Sequence, residues 1–381
     1  MIENKKKILV LAGDGIGPEV TAATTPIFNF LNQKLGHQFE LEEGLIGHAA
    51  IVEHGDPLPK KTLQQFETTD AILLGAVGDP SYDQNPSLTV RPEQGLLQMR
   101  AHLGLYTNLR PIKVFKALAD ASSLKPELLE GVDILFYREL TGGIYFGKPS
   151  MRQAGGTKAI DTMCYSKMEV RRIVVKAFEA ARQRKKVLHS VDKANVLETS
   201  RLWREVVQEV QTTYPDVEVI HLFVDNAAMQ LLRDPRQFDV VVTGNMFGDI
   251  LTDEAAQLAG SLGMLASASM GATVGVYEPI HGAAPDIAGQ DIANPLATIL
   301  SVALMLEHSF GLSQESQAIV FAVEQLLAEG YRTADTAVAS TAPEFILGTK
   351  ATGKKILALL DQIFIKDRQE QLVQFEFDKK S

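Results

Sequence analysis

The sequence predicts an α/β fold with a largely parallel sheet and two lobes. Short runs rich in β-branched residues alternate with stretches of helical periodicity, the pattern of strands joined by crossover helices. The 381 residues exceed the length that one compact core usually serves, so two lobes are expected. The composition, with 45% hydrophobic and 22% charged residues, is typical of a globular protein.

Six runs are predicted to be buried strands, because they are short, apolar and bounded by turn residues. They are Ile8–Ala12, Ala71–Leu74, Asp133–Tyr137, Lys186–His189, Val217–Leu222 and Asp239–Thr243. Pro18–Leu35 and Lys167–Arg184 have the apolar spacing of helices. Gly142–Tyr165 lacks that spacing and is rich in Gly, Thr, Tyr and Lys, which predicts either a protruding β-hairpin or a long loop.

Charge and cysteine content restrict the possible partners and compartment. The net charge of −10 disfavours nucleic acid and membrane surfaces as partners. Cys164 is the only cysteine, which rules out an internal disulfide and fits a reducing compartment. The first apolar run stops at Gly13, too short for a signal peptide, and Leu296–Leu306 is too short to span a bilayer. We therefore expect a cytoplasmic protein.

The glycine-rich run Gly13–Glu19 follows a predicted strand and opens a helix, as a dinucleotide-binding loop does. The third glycine of that fingerprint would fall at position 18, which is Pro18. Proline starts a helix well but breaks the fingerprint. A turn near a ligand is predicted here, but a Rossmann fold is not.

Asp249 and Asp253 lie four residues apart after the strand Asp239–Thr243. If Gly248 ends the loop and a helix follows, both carboxylates lie on one helix face and suit Mg²⁺ or Mn²⁺. Acidic pairs at this spacing are also common on solvated faces. The position at the carboxyl end of a strand, and a third acid, Asp225, after another strand, favour the metal site.

Three arginines interrupt otherwise apolar sequence, namely Arg100, Arg110 and Arg138. An isolated arginine at a strand end is usually a surface charge. Three of them in an acidic protein favour a recess that binds a multiply charged acid through forked guanidinium contacts. Tyr145 and Lys193 are candidate proton-transfer groups, provided that burial near cations lowers their pKa values.

Six motifs resemble the metal-dependent β-decarboxylating dehydrogenases, which include isocitrate, tartrate and 3-isopropylmalate dehydrogenases. They are Gly13–Val20, Arg91–Arg100, Tyr137–Gly147, Asp192–Leu197, Gly244–Asp253 and Glu278–Gly289. The resemblance implies a two-domain α/β sandwich of the isopropylmalate/isocitrate dehydrogenase kind, not a Rossmann fold. Residues 1–107 and 261–381 would form a discontinuous cofactor-binding domain. Residues 108–260 would form a dimerisation and catalytic domain, with an arm at about 140–165.

The same resemblance implies a role for each charged candidate. Substrate carboxylates would be bound by Arg100, Arg110 and Arg138. The metal would be held by Asp225, Asp249 and Asp253. Lys193 would be the base for the substrate hydroxyl, and Tyr145 would protonate the carbon left after CO₂ departs. Lys193 and Asp225 would come from the partner subunit of a homodimer, so that the active site is shared.

The resemblance further implies NAD as the cofactor. The implied contact residues are Gly78, Glu93, Asn195, His281, Gly282, Ala283, Ala284, Pro285, Asp286, Ile287 and Asn294. His281–Asn294 would wrap the adenosine end, and Gly78–Glu93 would lie over the nicotinamide end. Asp286 would accept hydrogen bonds from the ribose and repel the 2′-phosphate of NADP, although capping the turn after Pro285 is an alternative role. Two segments depart from the family pattern, Gly78–Tyr82 and 334–345.

The same resemblance implies that the residues before Arg100 select the substrate. Leu96 and Leu97, with Val196 facing them by analogy, would form an apolar pocket that fits an isopropyl group and disfavours a further carboxylate. The expected reaction is NAD-dependent oxidation and decarboxylation of 3-isopropylmalate to 4-methyl-2-oxopentanoate and CO₂, in leucine biosynthesis. Both leucines could instead be helix core, and D-malate or tartrate is the alternative substrate. A non-catalytic regulatory subunit is disfavoured because the full Arg, Asp, Tyr and Lys set is present.

Overall fold

Strands and helices alternate along the chain as predicted. The computed structural model describes residues 5–82, 84 and 88–378, with the backbone alone for 367–378. The strands within it are β1 (Lys6–Gly13), β2 (Phe39–Glu43), β3 (Ala71–Ala76), β4 (Thr107–Lys113), β5 (Asp133–Glu139), β6 (Met151–Gln153), β7 (Lys158–Ile160), β8 (Val187–Asp192), β9 (Glu218–Phe223), β10 (Val240–Thr243), β11 (Ala266–Met270) and β12 (Gly275–Pro279). The helices are α1 (Gly17–Thr24), α2 (Pro26–Leu35), α3 (Gly47–His54), α4 (Lys60–Phe66), α5 (Pro92–His102), α6 (Pro126–Leu129), α7 (Lys167–Gln183), α8 (Glu198–Gln211), α9 (Val224–Arg233), α10 (Asn245–Ala256), α11 (Leu296–His308), α12 (Ser313–Ala328) and α13 (Thr349–Asp378).

All six predicted strands are present, and so is the helix predicted at Lys167–Arg184. The single helix predicted over Pro18–Leu35 is wrong, because Pro26 starts a second helix after Thr25. Proline lacks the N–H that would continue the first helix and its ring clashes with the preceding turn. The hairpin alternative for Gly142–Tyr165 is confirmed, since β6 and β7 pair antiparallel in a sheet of their own.

The remaining strands of the described chain form one sheet in the order β2-β1-β3-β12-β11-β4-β5-β10-β8-β9. Pairing is parallel towards both edges and antiparallel at the centre, in β12–β11, β11–β4 and β4–β5. The prediction of a largely parallel sheet therefore holds for each half, but the two halves run in opposite directions. Strands from residues 6–76 and 266–279 lie on one side, and strands from 107–243 lie on the other.

Both faces of the sheet are covered, because alternate residues of the strands enter different apolar clusters. In β1, Ile8 and Val10 pack with Phe28 of α2, whereas Leu9 and Leu11 pack with Phe66 of α4. Successive strand side chains point to opposite faces, so near-continuous apolar strands of this kind require helices on both sides. Across the residues described, none of the helices could span a membrane.

Candidate active site

The register of β4 and β5 brings two of the predicted arginines together at the centre of the sheet. Asn108 lies opposite Arg138, and Arg110 follows two residues after Asn108, so the three side chains share one face. Helix α10 crosses this face closely. A Cβ at Gly248 would lie 2.7 Å from Cγ of Arg138, so only glycine permits the approach. The prediction that Gly248 ends the loop is wrong, because α10 already begins at Asn245.

Arg138 is held from two sides. Its side chain is 2% exposed. Nε donates to the main-chain oxygen of Asn245 at 3.0 Å, and Nη2 donates to Oδ1 of Asn245 at 2.9 Å. Nη1 donates to Oδ1 of Asp249 in a short ion pair. Burial, and then the neighbouring charge of Arg110, lowers the pKa of Arg138, whereas Asp249 opposes the shift.

Arg110 is buried beside Arg138 and, like Arg138, forms a hydrogen bond to an asparagine. Nε donates to Oδ1 of Asn108 at 2.6 Å, and Nη1 donates to Oγ1 of Thr252 at 2.5 Å. The guanidinium lies 3.5 Å from Oδ1 of Asp249 and 3.7 Å from Oδ1 of Asp253. Burial lowers the pKa of Arg110, and the two carboxylates counteract it. Two buried cations in contact with two carboxylates create a strongly polarised recess.

Asp249 and Asp253 share one face of α10, as predicted, and that face is turned towards the arginines rather than simply solvated. Partial burial raises the pKa of Asp253, and the charge of Asp249 adds to this, whereas Arg110 opposes it. Oxygen donors of this type match Mg²⁺ or Mn²⁺. Among the described residues, however, no three acids, histidines or cysteines are grouped closely enough to hold a metal. Within the chain, Asp249 and Asp253 lie together, whereas the third predicted ligand, Asp225, pairs with Lys193 instead.

Tyr145 joins the same cluster from the other side. Its hydroxyl donates to Oδ2 of Asp249 at 3.0 Å, and Tyr145 is the last residue of a turn that begins after Gly142. The expectation that nearby cations lower its pKa is wrong. Burial is the largest influence and raises the pKa of Tyr145, and Asp249 raises it further, which outweighs Arg138.

Arg100 lies at the end of α5, where Nη2 faces Oε1 of Glu278 at 3.4 Å. Nε of Arg100 is buried without a partner, so the guanidinium has a free donor. One helical turn earlier, Leu96 packs partly against the cluster around Leu9, which supports its core role. Leu97 is half-buried and belongs to none of the described apolar clusters, so it is the better candidate for contact with a ligand.

Lys193 and Asp225 form an ion pair with each other, on the loop after β8 and in the first turn of α9. The hydrogen bond from Lys193 lowers the pKa of Asp225. No described hydrogen bond or ion pair joins either residue to Asp249 or Arg110 within the chain. Asn195 and Val196 follow Lys193 on the same exposed loop, where Val196 is 62% exposed. The predicted approach of Val196 to Leu97 is not made by any contact described within one chain.

The glycine-rich turn after β1 meets two of the predicted cofactor segments. Ile16 donates its main-chain N–H to the oxygen of Ala283 at 2.7 Å. The buried carboxylate of Asp14 accepts from the N–H groups of His48, Ala49 and Gly78, at 2.8–2.9 Å. The start of the Gly78–Glu93 loop is thereby tied to β1. Residues 83 and 85–87 of that loop lie outside the described residues.

The segment after β12 contains a buried ring nitrogen that has no hydrogen-bond partner among the described residues. Nε2 of His281 is buried without a partner, while its Nδ1 lies 3.0 Å from the oxygen of Gly282. Burial lowers the pKa of His281, which favours the neutral ring. Gly282, Pro285 and Asp286 are exposed around it. An unpartnered buried ring nitrogen fits a ligand that completes its hydrogen bonding, as a dinucleotide would.

Other predicted cofactor residues already have partners in the chain. Asn294 donates to Oδ2 of Asp335 at 3.0 Å and accepts from the N–H of Leu296 at 2.9 Å. Ala284 and Ile287 pack partly against the small cluster around Ile16. Oε1 of Glu93 lies 3.1 Å from where a Cβ at Gly78 would be, so both ends of that loop are adjacent.

Sequence reasoning missed the polar residues that hold the arginines, chiefly Asn108, Asn245, Thr252 and Glu278. Asn245, Thr252 and Glu278 lie inside motifs that resemble the family, but nothing in their spacing indicates a separate role. Asn108 precedes Arg110 by two residues, and a strand prediction over Thr107–Lys113 would have placed both on one face.

Comparisons with known proteins agree with this geometry. The isocitrate/isopropylmalate dehydrogenase family matches residues 7–356. A 3-isopropylmalate dehydrogenase of Bacillus licheniformis is 55% identical over 361 residues, covering 94% of this chain and 96% of the relative. One of Pseudomonas fluorescens is 54% identical over 359 residues, covering 93% and 99%. A crystal structure of isocitrate dehydrogenase from Methylococcus capsulatus has a TM-score of 0.81 at 32% identity, covering 93% and 99%.

Proposed function

This chain belongs to the isocitrate/isopropylmalate dehydrogenase family, and we propose that it oxidises and decarboxylates 3-isopropylmalate with NAD, in leucine biosynthesis. The chain is an oxidoreductase, a decarboxylating dehydrogenase of a family that uses a nicotinamide cofactor and a metal ion. The observation that carries the proposal is the contact of one carboxylate, Asp249, with Arg138, Arg110 and Tyr145. That arrangement combines anion binding, cation binding and a proton donor within a few ångströms.

Substrate carboxylates would bind at the three arginines. Arg110 and Arg138 are rigid because each has an asparagine partner, so their forks are already oriented before an acid arrives. Arg100 has the unused Nε donor. Leu97 would contact the apolar substituent, where a partnerless charged group would be disfavoured.

Asp249 and Asp253 would hold Mg²⁺ or Mn²⁺, and Asp225 of a second copy would be the third ligand. The metal, when bound, supplies Lewis acidity at the reacting oxygens. Asp249 would then face the metal instead of Arg138 and Arg110, and both guanidinium groups would be available to the substrate. Binding of metal and binding of acid at this site should therefore support each other.

Lys193 and Tyr145 would move the protons. Lys193 of a second copy would take the proton of the substrate hydroxyl, and its present partner Asp225 would turn to the metal. Tyr145 would give a proton to the carbon that loses CO₂. The raised pKa of Tyr145 keeps its hydroxyl protonated at neutral pH, as a donor requires.

A homodimer would complete the site. No described hydrogen bond or ion pair joins Lys193 or Asp225 to Asp249 or Arg110 in their own chain, and exposed apolar side chains lie near them. These are Val196 after β8, Met229 and Leu232 on α9, and Ile250 on α10, each at least 41% exposed. Exposed apolar residues on adjoining elements are typical of a surface that a partner covers. The same division would make 108–260 the dimerisation domain and 1–107 with 261–381 the cofactor domain.

NAD would bind at the segment after β12. Nε2 of His281 would accept one hydrogen bond from the cofactor, because Nδ1 of the neutral ring donates to the oxygen of Gly282. The exposed carboxylate of Asp286 would meet the ribose hydroxyls. A 2′-phosphate would be repelled by Asp286, so NADP should be a poor substitute. Replacing Asp286 with Lys and Ile287 with Tyr should shift the preference towards NADP. Equal use of NAD and NADP by the unaltered protein would contradict this assignment. We propose that the protein acts in the cytoplasm.

The test is NADH formation with 3-isopropylmalate, D-malate, tartrate and isocitrate, each with Mg²⁺ and with EDTA. We expect metal-dependent turnover that is fastest with 3-isopropylmalate. Faster turnover of D-malate or tartrate would assign the chain to the alternative substrate. Arg110→Ala is the control, because loss of a buried carboxylate-binding cation should abolish the signal. Absence of turnover with all four acids would refute a catalytic role.

A further inference from the structure

Asn245, the first residue of α10, is 1% exposed. It forms hydrogen bonds both to Arg138 and to the turn that carries Tyr145. We propose that Asn245 is a positioning residue that holds Arg138 and the turn leading to Tyr145 in one fixed arrangement around Asp249. The inference rests on the roles proposed above for Arg138 and Tyr145.

The acceptors of Asn245 orient Arg138. Its Oδ1 accepts from Nε at 3.2 Å and Nη2 at 2.9 Å, and its main-chain oxygen accepts from Nε at 3.0 Å. One edge of the guanidinium is thus fully occupied, so that Nη1 is left to face Asp249. A planar fork held along one edge cannot rotate without breaking several hydrogen bonds.

The donors of Asn245 fix the Tyr145 turn. Nδ2 donates to the main-chain oxygen of Gly142 at 3.2 Å, and the main-chain N–H donates to the hydroxyl of Tyr165 at 2.8 Å. That Tyr165 ring lies directly against the turn, since a Cβ at Gly143 would lie 2.5 Å from its hydroxyl. The turn carries Tyr145, whose hydroxyl reaches Oδ2 of Asp249.

The amide can satisfy these partners in one orientation only. Reversing it would place the NH₂ group against the donors of Arg138 and the oxygen against the oxygen of Gly142. Asn245 therefore joins two groups that meet different oxygens of Asp249, Arg138 at Oδ1 and Tyr145 at Oδ2. Asn108, by comparison, holds Arg110 but has no described contact with the turn.

The turn that carries Tyr145 has a second set of hydrogen bonds, which limits how far it should move when the Asn245 amide is removed. The buried carboxylate of Glu139 accepts from the N–H groups of Gly142 at 2.7 Å and Thr141 at 3.1 Å. Loss of the Asn245 amide should therefore shift the turn rather than unfold it. A displacement of about 1 Å of a reacting group can reduce the rate by up to about 100-fold, and we expect a loss of about 10-fold or more in kcat.

A double-mutant cycle separates positioning from general destabilisation. Asn245→Ala should lower kcat and also raise KM, because it releases both Tyr145 and Arg138. In a Tyr145→Phe background the same change should lower kcat by less than about threefold, because the group that it positions is already absent. Equal losses of kcat in the two backgrounds would overturn the proposal.

Two further variants complete the test. Asn32→Ala is the matched control, since Asn32 makes two hydrogen bonds to the main chain of Phe39 away from the site, at 2.8 and 2.9 Å. It should leave kcat and KM unchanged. Asn245→Asp replaces the alanine variant if that variant does not fold. It keeps the acceptor for Arg138 but opposes an oxygen to the oxygen of Gly142, so kcat should fall with the same dependence on Tyr145.

A crystal structure of Asn245→Ala, or of Asn245→Asp in its place, decides the inference without any assumption about substrate. The hydroxyl of Tyr145 should lie farther from Asp249 than the present 3.0 Å. An unchanged contact would overturn the proposal even if the unaltered protein oxidises 3-isopropylmalate. If the unaltered protein lacks that activity, the proposed function fails, and the displaced or unmoved turn still decides the role of Asn245.

Discussion

Replacing Asp249 with Asn removes one charge from a cluster in which that carboxylate contacts two buried arginines and Tyr145. Leaving a buried arginine without any partner costs about 3–5 kcal/mol. Here the cost should be smaller, because the Asp249 side chain is 36% exposed and Asp253 remains 3.7 Å from Arg110. We expect the free energy of unfolding to fall by about 1–2 kcal/mol, since solvent screens part of the interaction.

The effect of Asp249→Asn on the reaction should be much larger than its effect on stability. An amide has one carbonyl oxygen and no charge, so it is a poor ligand for Mg²⁺. We expect turnover to fall by about 100-fold, and the Mg²⁺ concentration for half-maximal activity to rise by about 10-fold or more. Both are measured by NADH formation across a Mg²⁺ titration, and stability is measured by urea unfolding.

Asp216→Asn is a matched control for this experiment. Asp216 is also 36% exposed and also pairs with an arginine, Arg182, but on the protein surface. Its replacement should leave turnover and the Mg²⁺ requirement unchanged. If Asp249→Asn keeps the Mg²⁺ dependence and turnover of the unaltered protein, the assignment of this carboxylate to the metal site is refuted.

Three further changes test the pocket, the assembly and the pH dependence. Leu97→Ala should weaken 3-isopropylmalate relative to D-malate by about 1–3 kcal/mol in kcat/KM, whereas equal losses would return Leu97 to a packing role. Mixing inactive Arg110→Ala and Lys193→Ala proteins should restore activity through heterodimers that contain one intact site, and heterodimers without activity would exclude a shared site. Burial lowers the pKa of His189 to about 4, so the unfolded state binds the extra proton between its ordinary value near 6.5 and 4. Stability should therefore fall by up to about 3 kcal/mol as the pH drops through that window, and His189→Gln should flatten this dependence in urea unfolding.

Much of the site could be predicted because its chemistry is local in sequence. Asp249 and Asp253 lie on one helix face simply because they are four residues apart, and the structure agrees. Arg110 and Arg138 stood out as charges in apolar sequence, and both are buried. The raised pKa of Tyr145 could not be predicted, because it depends first on how far the fold buries the hydroxyl and then on the approach of Asp249. Asp249 lies more than 100 positions away in the sequence, so only the packing of the chain brings it to the hydroxyl.

By itself, then, the sequence determined which segments form six of the strands, which charged groups are candidates for a site, and which family pattern they follow. Hydrophobic periodicity and the fixed spacing of side chains along a helix or a strand act over a few residues. They do not depend on contacts with distant segments of the chain. Only the tertiary structure decided that the sheet reverses direction at β11 and β4, because strand direction depends on how distant segments pair. The tertiary structure also decided that the guanidinium groups of Arg138 and Arg110 each donate a hydrogen bond to an asparagine. A buried cation must find its hydrogen-bond partners in space, wherever the packing of α10 on β4 and β5 happens to supply them.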